Sequence, residues 1–189
     1  MLFRSKCFVE TLNTIAKAEG NFDWHVAFHP YPENLFNPRT WEDAAATPSF
    51  DAAKITFKNI EMLPAFLRQE RFLHNSKARR VILSEQGFHS PDGKNGERDQ
   101  AAAYAYSYYR VQQTEGIDAF ILHRHVDHPG EGGLRLGLRS SRDGGVRPIY
   151  DVFRQADTAA WPEAFKFALP VIGVKSWPDT LSSNPPKAE

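Results

Sequence analysis

The chain has 189 residues with 23 basic and 23 acidic side chains, so no global field gathers nucleic acid or an anionic membrane. Charged residues at 24% and apolar residues at 41% give an ordinary globular composition, which excludes a disordered polyampholyte. Cys7 is the only cysteine, which rules out an internal disulfide and a thiolate metal cluster, and no apolar run approaches the roughly 20 residues that span a bilayer.

The first six residues lack the apolar core and small-residue cleavage site of a secretory signal. Residues 4–19 have helical spacing, with Phe8, Leu12, Ile15 and Ala16 predicted on one face and Gly20 as a C-cap. Asp23 to His29 reads as a strand that runs into Pro30-Tyr31-Pro32, where two prolines forbid continuation. A long loop through Trp41 and Phe50 follows, and its length points to function rather than mere connection. Helical periodicity returns over 55–72, with a kink expected at Pro64.

Val81-Ile82-Leu83 is a short apolar run of buried-strand type, ending at Ser84-Glu85-Gln86-Gly87. After a turn-rich stretch over 91–96, residues 97–114 form the clearest helix, acidic at its start and alanine-rich. Residues 117–123 make a third strand. Helices are expected over 148–155, where Pro148 stands at N1, and over 161–168. A polar tail closes the chain, so the organisation reads as one domain over 1–177 and a tail over 178–189.

This alternation of strands and helices means an α/β fold with a parallel sheet. All its strands then end on one side, which brings His29 and Tyr31, Glu85, and His123 and His125 together. Ligands gather at the carboxyl ends of parallel strands, so Glu85 is where chemistry is expected. Three βα units correspond to the last three-eighths of a TIM (β/α)8 barrel, which takes about 250 residues, so a truncated chain is the expectation. A small doubly wound domain is the alternative.

His29-Pro30-Tyr31-Pro32 and Ser84-Glu85-Gln86-Gly87 resemble the sixth and seventh strand ends of retaining glycoside hydrolases with (β/α)8 barrels. More closely, residues 23–37, 80–89 and 117–137 resemble the bacterial family catalogued as domain of unknown function 5722, a member of the glycosidase-like barrels. The resemblance implies strands six to eight of such a barrel, secreted or periplasmic in its full-length form. It assigns Glu85 as nucleophile, with His29 and Tyr31 as contacts for the sugar or for Glu85, and His123 and His125 closing the cleft. Beside it, Asn34 and His89 on the adjoining loops are further candidate substrate contacts, although a loop histidine is more often solvated. The resemblance implies no cofactor, a carbohydrate substrate, and a missing N-terminal barrel half as partner, with no role for nucleic acid or membrane. The family pattern also places a second carboxylic acid at the end of strand four, a strand this sequence does not contain. Glu33 and Asp127 could only be substitutes, and neither stands at the family's acid position, so the expectation is that the chain does not cleave glycosides by itself.

A metal reading competes. His123-Arg124-His125-Val126-Asp127-His128 spells H-x-H-x-D-H after a strand, the zinc motif of the metallo-β-lactamase fold. That fold needs a further histidine some 50–70 residues later, and none follows His128. A polar cleft wall is the preferred reading of these residues, and a metal-dependent hydrolase the alternative. Non-catalytic carbohydrate binding is a third reading. His25 and His74 suit packing or surface, the tyrosines at 104, 106, 108 and 109 suit a helix against the sheet, and Arg135, Arg139 and Arg142 suit a solvated loop.

Overall fold

A computed structural model describes residues 2–181, so the expected tail lies outside the described residues from Ser182 onward. The element order is α1 (Leu2–Ala18), β1 (Val26–Phe28), α2 (Met62–Leu67), β2 (Val81–Gln86), α3 (Gly96–Gln112), β3 (Ile117–Leu122), α4 (Pro148–Gln155), α5 (Trp161–Ala164) and α6 (Leu169–Ile172). Short 3-10 turns occupy Thr40–Glu42, Phe57–Asn59, Glu70–Phe72, Lys166–Ala168 and Trp177–Thr180. The three strands are parallel in the order β1-β2-β3, with Val26 opposite Val81 and Leu83 opposite both Phe28 and Phe120.

The (β/α)8 expectation is corrected by this topology. Among the described residues the sheet is small and open, with β1 and β3 at its edges, rather than a section of a closed barrel. Closure demands strands of matched length, tilt and stagger, each followed by a covering helix. Here β1 has three residues, because Pro30 cannot donate to a ladder, and the chain from 29 to 80 supplies one six-residue helix among loops and 3-10 turns. The doubly wound alternative would cover both faces. Instead Ile82 and Ile121, on the same side of neighbouring strands, are 40% and 52% exposed. What holds is the coarser α/β class with a parallel sheet.

The covered face is packed with aromatic rings. Phe57 sits between Phe88 and Phe120, with centroids 5.5 and 5.2 Å away. Tyr104 of α3 stacks on Phe120 of β3 at 5.4 Å and meets Phe153 of α4 at 5.6 Å. The side of α3 away from the sheet is buried too, since Tyr109 packs on Trp161 and Trp177. Helix α3 is therefore the hub of the core: residues Gln100 to Arg110 are all buried, and each full aromatic burial contributes on the order of 1.5–3 kcal/mol.

Two helix expectations also change. Phe8 and Ile15 of α1 are 68% and 53% exposed, and the face that packs carries Leu12 and fully buried Ala16. Pro64 lies in the first turn of α2, where its missing N–H costs nothing, so it starts a short helix rather than kinking a long one. Beneath the sheet, Arg79 is buried with its guanidinium 4.6 Å from the Trp24 ring. It donates to the Phe72 carbonyl at 2.9 Å and to Asp23 at 2.8 Å, tying together the entries to β1 and β2.

Candidate functional site

The carboxyl ends of the three strands meet as the parallel order requires. Between Leu83 and Gln86 the register slips: Leu83 pairs with Phe120 and Gln86 with Leu122, so Ser84 and Glu85 together face Ile121. This bulge re-aims side chains at the strand end. Ser84 Oγ stands 3.1 Å from His29 Nε2, and Glu85 Oε1 accepts the Tyr31 hydroxyl at 2.9 Å. Gly87 is needed immediately after. A Cβ there would lie 2.2 Å from the His123 carbonyl oxygen, so only glycine lets β2 leave the sheet so close to β3. The His123 amide donates to the Gln86 carbonyl at 2.7 Å and closes the junction.

A second carboxylate, which sequence reasoning missed, stands at the same end. Glu131 Oε1 accepts His123 Nε2 at 2.9 Å and a guanidinium N–H of Arg124, while Glu131 Oε2 is buried with no hydrogen-bond partner. Tyr31 senses both acids. Burial, its hydrogen bond to Glu85, and the charges of Glu85 and Glu131 together push the phenol well above its ordinary range, against a smaller opposing effect of Arg124. Tyr31 thus keeps its proton and acts as the donor in this cluster. The signal in the sequence was available: Glu131 sits between Gly130 and Gly132-Gly133, a carboxylate presented by a flexible loop just after a strand end.

The other expected residues divide. Asn34 is taken up by its own turn, accepting the Phe36 amide at 3.0 Å. His89 is buried, accepts the Arg135 amide through Nδ1 at 3.0 Å and meets Phe36 edge-on at 5.2 Å. Burial, and then the Arg135 charge, lower its pKa, so it is a neutral anchor between two loops rather than a group at the Tyr31–Glu85 contact. His125 is exposed on the far side of Arg124, where both line a separate cavity. Glu33 accepts the Ala45 amide at 3.0 Å and braces the long loop.

The H-x-H-x-D-H residues diverge. Asp127 turns away from the histidines, accepting Arg147 through both oxygens at 2.9 and 2.5 Å and the Gly137 amide at 2.7 Å. Burial alone would raise its pKa, but Arg147 and the Gly137 amide outweigh that and hold it below the usual carboxylate range. His128 Nδ1 accepts the Gly130 amide at 3.1 Å, and His123 is committed to Glu131. Among the described residues no three His, Cys, Asp or Glu side chains converge as a metal site would require.

The loops carrying these groups share one anchor. Gln100 Nε2, buried on α3, donates to the carbonyls of Phe88 at 2.9 Å, Arg135 at 3.2 Å and Gly137 at 3.4 Å. The loop after β2 and the loop after β3 are held by the same amide. The result is a polar strand-end cluster of two carboxylates, a phenol donor, an imidazole and a guanidinium, carried by the end of β2 and by the loops that follow β1 and β3.

No curated protein and no solved structure matches the chain. A family model does, over residues 1–180, which include every group described above: the chain belongs to the family of unknown function DUF5722.

Proposed function

We propose that this chain acts on carbohydrate as a glycoside-hydrolase-like protein, with Glu85 as the nucleophile that attacks the anomeric carbon. The observation that carries the reading is the 2.9 Å hydrogen bond from Tyr31 to Glu85, which joins two strand ends and fixes one carboxylate oxygen while leaving the other for substrate. His29 and His123 flank that position on the neighbouring strand ends. Retaining hydrolysis needs a nucleophile and an acid about 5–5.5 Å apart. Glu33 and Asp127 are occupied by the Ala45 amide and by Arg147, and Glu131 is the charge partner of Arg124. The reading assigns none of the three as the acid and takes that group to come from a further polypeptide segment.

The test follows from that deficit, because a sufficiently acidic leaving group needs no proton. Dinitrophenyl 2-deoxy-2-fluoroglycosides of several sugars would be incubated with the protein. The Glu85 carboxylate displaces dinitrophenolate, forming a C1–O ester and breaking the C1–O bond to the phenol, and the fluorine slows hydrolysis of the ester. The expected result is an adduct on the peptide containing Glu85, absent in Glu85→Gln and slower in Tyr31→Phe. Adducts elsewhere, or none with any sugar, would refute the nucleophile assignment.

A further inference from the structure

Beside the strand-end cluster lies a cavity of 340 Å³, between the end of β3 and helix α4. Leu122 and Leu138 form apolar wall, and Tyr150 and Phe153 present aromatic side chains from α4. Its polar lining is Arg124, His125 and Arg154, without a single carboxylate. The Arg139 guanidinium stacks 5.4 Å from the Tyr150 ring and adds further positive charge nearby. The acids in reach do little to cancel this field. Asp151 lies 3.5 Å from Arg154 with both side chains largely exposed, a pair of small worth in water. Glu131 engages one nitrogen of Arg124, which leaves other guanidinium donors of that side chain unspent.

The volume falls at the lower end of the roughly 300–1,000 Å³ of small-molecule sites, and apolar walls with a few convergent polar groups are the usual composition. Two guanidiniums suit a planar carboxylate, which they bind through paired N–H donors. The aromatic rings suit a ring-shaped body. Arg124 belongs both to this cavity and to the cluster at Glu131, so the cavity adjoins the Glu131 side of the strand-end site.

We infer that this cavity is a subsite for a carboxylate-bearing pyranose, so that the substrate class is an acidic polysaccharide containing uronic acid. The inference rests on the carbohydrate reading of the Glu85 site and adds a charge requirement to it. His125 and Arg154 would confer the preference, with Arg124 shared between the two sites.

The experiment is calorimetric titration of the full chain with a panel of oligouronates, each paired with its fully methyl-esterified form. The sugar and linkage then stay constant while the charge is removed. Sulfated neutral oligosaccharides form a third arm. The acid form is expected to bind at least about ten-fold more tightly than the ester, as a hydrogen bond to a charged group would give. The margin should shrink as salt is raised. Arg154→Gln combined with His125→Gln should reduce the margin between acid and ester to within about three-fold, on the same scale.

Equal binding of acid and ester would overturn the inference while the carbohydrate reading stands. A preference for sulfated ligands over uronates would overturn the carboxylate assignment. If no saccharide binds in any form, the inference falls, and the fluoroglycoside labelling at Glu85 decides the parent reading independently.

Discussion

Substituting Asp127 by alanine removes an acceptor of three hydrogen bonds from a place where water cannot replace it. Its carboxylate receives Arg147 at 2.9 and 2.5 Å and the Gly137 amide at 2.7 Å, and the two side chains are 7% and 5% exposed. The variant leaves a buried guanidinium with the Gly137 carbonyl at 2.8 Å and the half-exposed Glu97 at 3.5 Å. Breaking one side of a buried ion pair costs about 3–5 kcal/mol, and these residual partners set the expectation near the lower end, about 3 kcal/mol. At roughly 2–4 °C per kcal/mol for a chain of this size, the midpoint should fall by about 6–12 °C. Thermal and urea unfolding of the wild type, Asp127→Ala, Arg147→Met and the double variant measure the midpoint and the free energy. The double variant should lose less than the sum of the singles, because it strands no charge. Added zinc should shift none of the four. The reasoning fails if Asp127→Ala unfolds within about 0.5 kcal/mol of wild type, or if zinc stabilises the wild type and not the variant, which would return Asp127 to a metal centre.

Other substitutions probe the frame of the site. Gly87→Ala drives a Cβ into a backbone oxygen that cannot swing aside, so a loss of about 1–3 kcal/mol is expected, with failure of fluoroglycoside labelling at Glu85. Unchanged stability and labelling would mean that β2 and β3 do not close so tightly. Arg79→Met should cost about 3 kcal/mol by orphaning buried carbonyls and opening a void, while Asp23→Asn should cost less than about 1 kcal/mol because Asp23 is 55% exposed and rehydrates. Equal losses in urea titration would show that the ion pair, not the carbonyl ligation, holds the site. Burial raises the pKa values of Tyr31, Tyr104, Tyr106 and Tyr108, so the unfolded chain loses these protons first. Their stabilising effect is complete below the ordinary tyrosine value of about 10 and is lost as pH rises beyond it. Unfolding free energy should decline between about pH 9.5 and 11, less steeply in Tyr104→Phe, and a flat profile would contradict their burial.

The strands and α3 were legible in the sequence because each depends on local pattern. An apolar run cut off by Pro30 or Gly87 marks a strand end, and parallel alternation then places His29, Tyr31, Glu85 and His123 on one side. The pairing of Tyr31 with Glu85 depends on the bulge opposite Ile121, which no single-strand pattern encodes. The placement of Asp127 depends on long-range contacts too. H-x-H-x-D-H has metal spacing, but Asp127 answers to Arg147, twenty residues away and outside any motif. Glu131 was overlooked because a loop carboxylate among glycines looks solvated until His123 and Arg124 are seen to close on it. The predicted stripe of α1 held in part: Leu12 and Ala16 pack against the core, whereas Phe8 and Ile15, which fit the same helical spacing, stay exposed. The barrel inference counted strands correctly and extrapolated from them, whereas sheet closure is set by edges that composition does not describe.

Gln100 gives the strand-end loops a mechanical property of their own. A single amide, fixed in the middle of the core, restrains the segment that bears His89 and the far end of the loop that presents Glu131. Each loop keeps its own bond to that amide, so a displacement of the Gln100 side chain would loosen both loops at once. Transplanting this site to another scaffold would require both loops and the turn of α3 around Gln100 as one inseparable module.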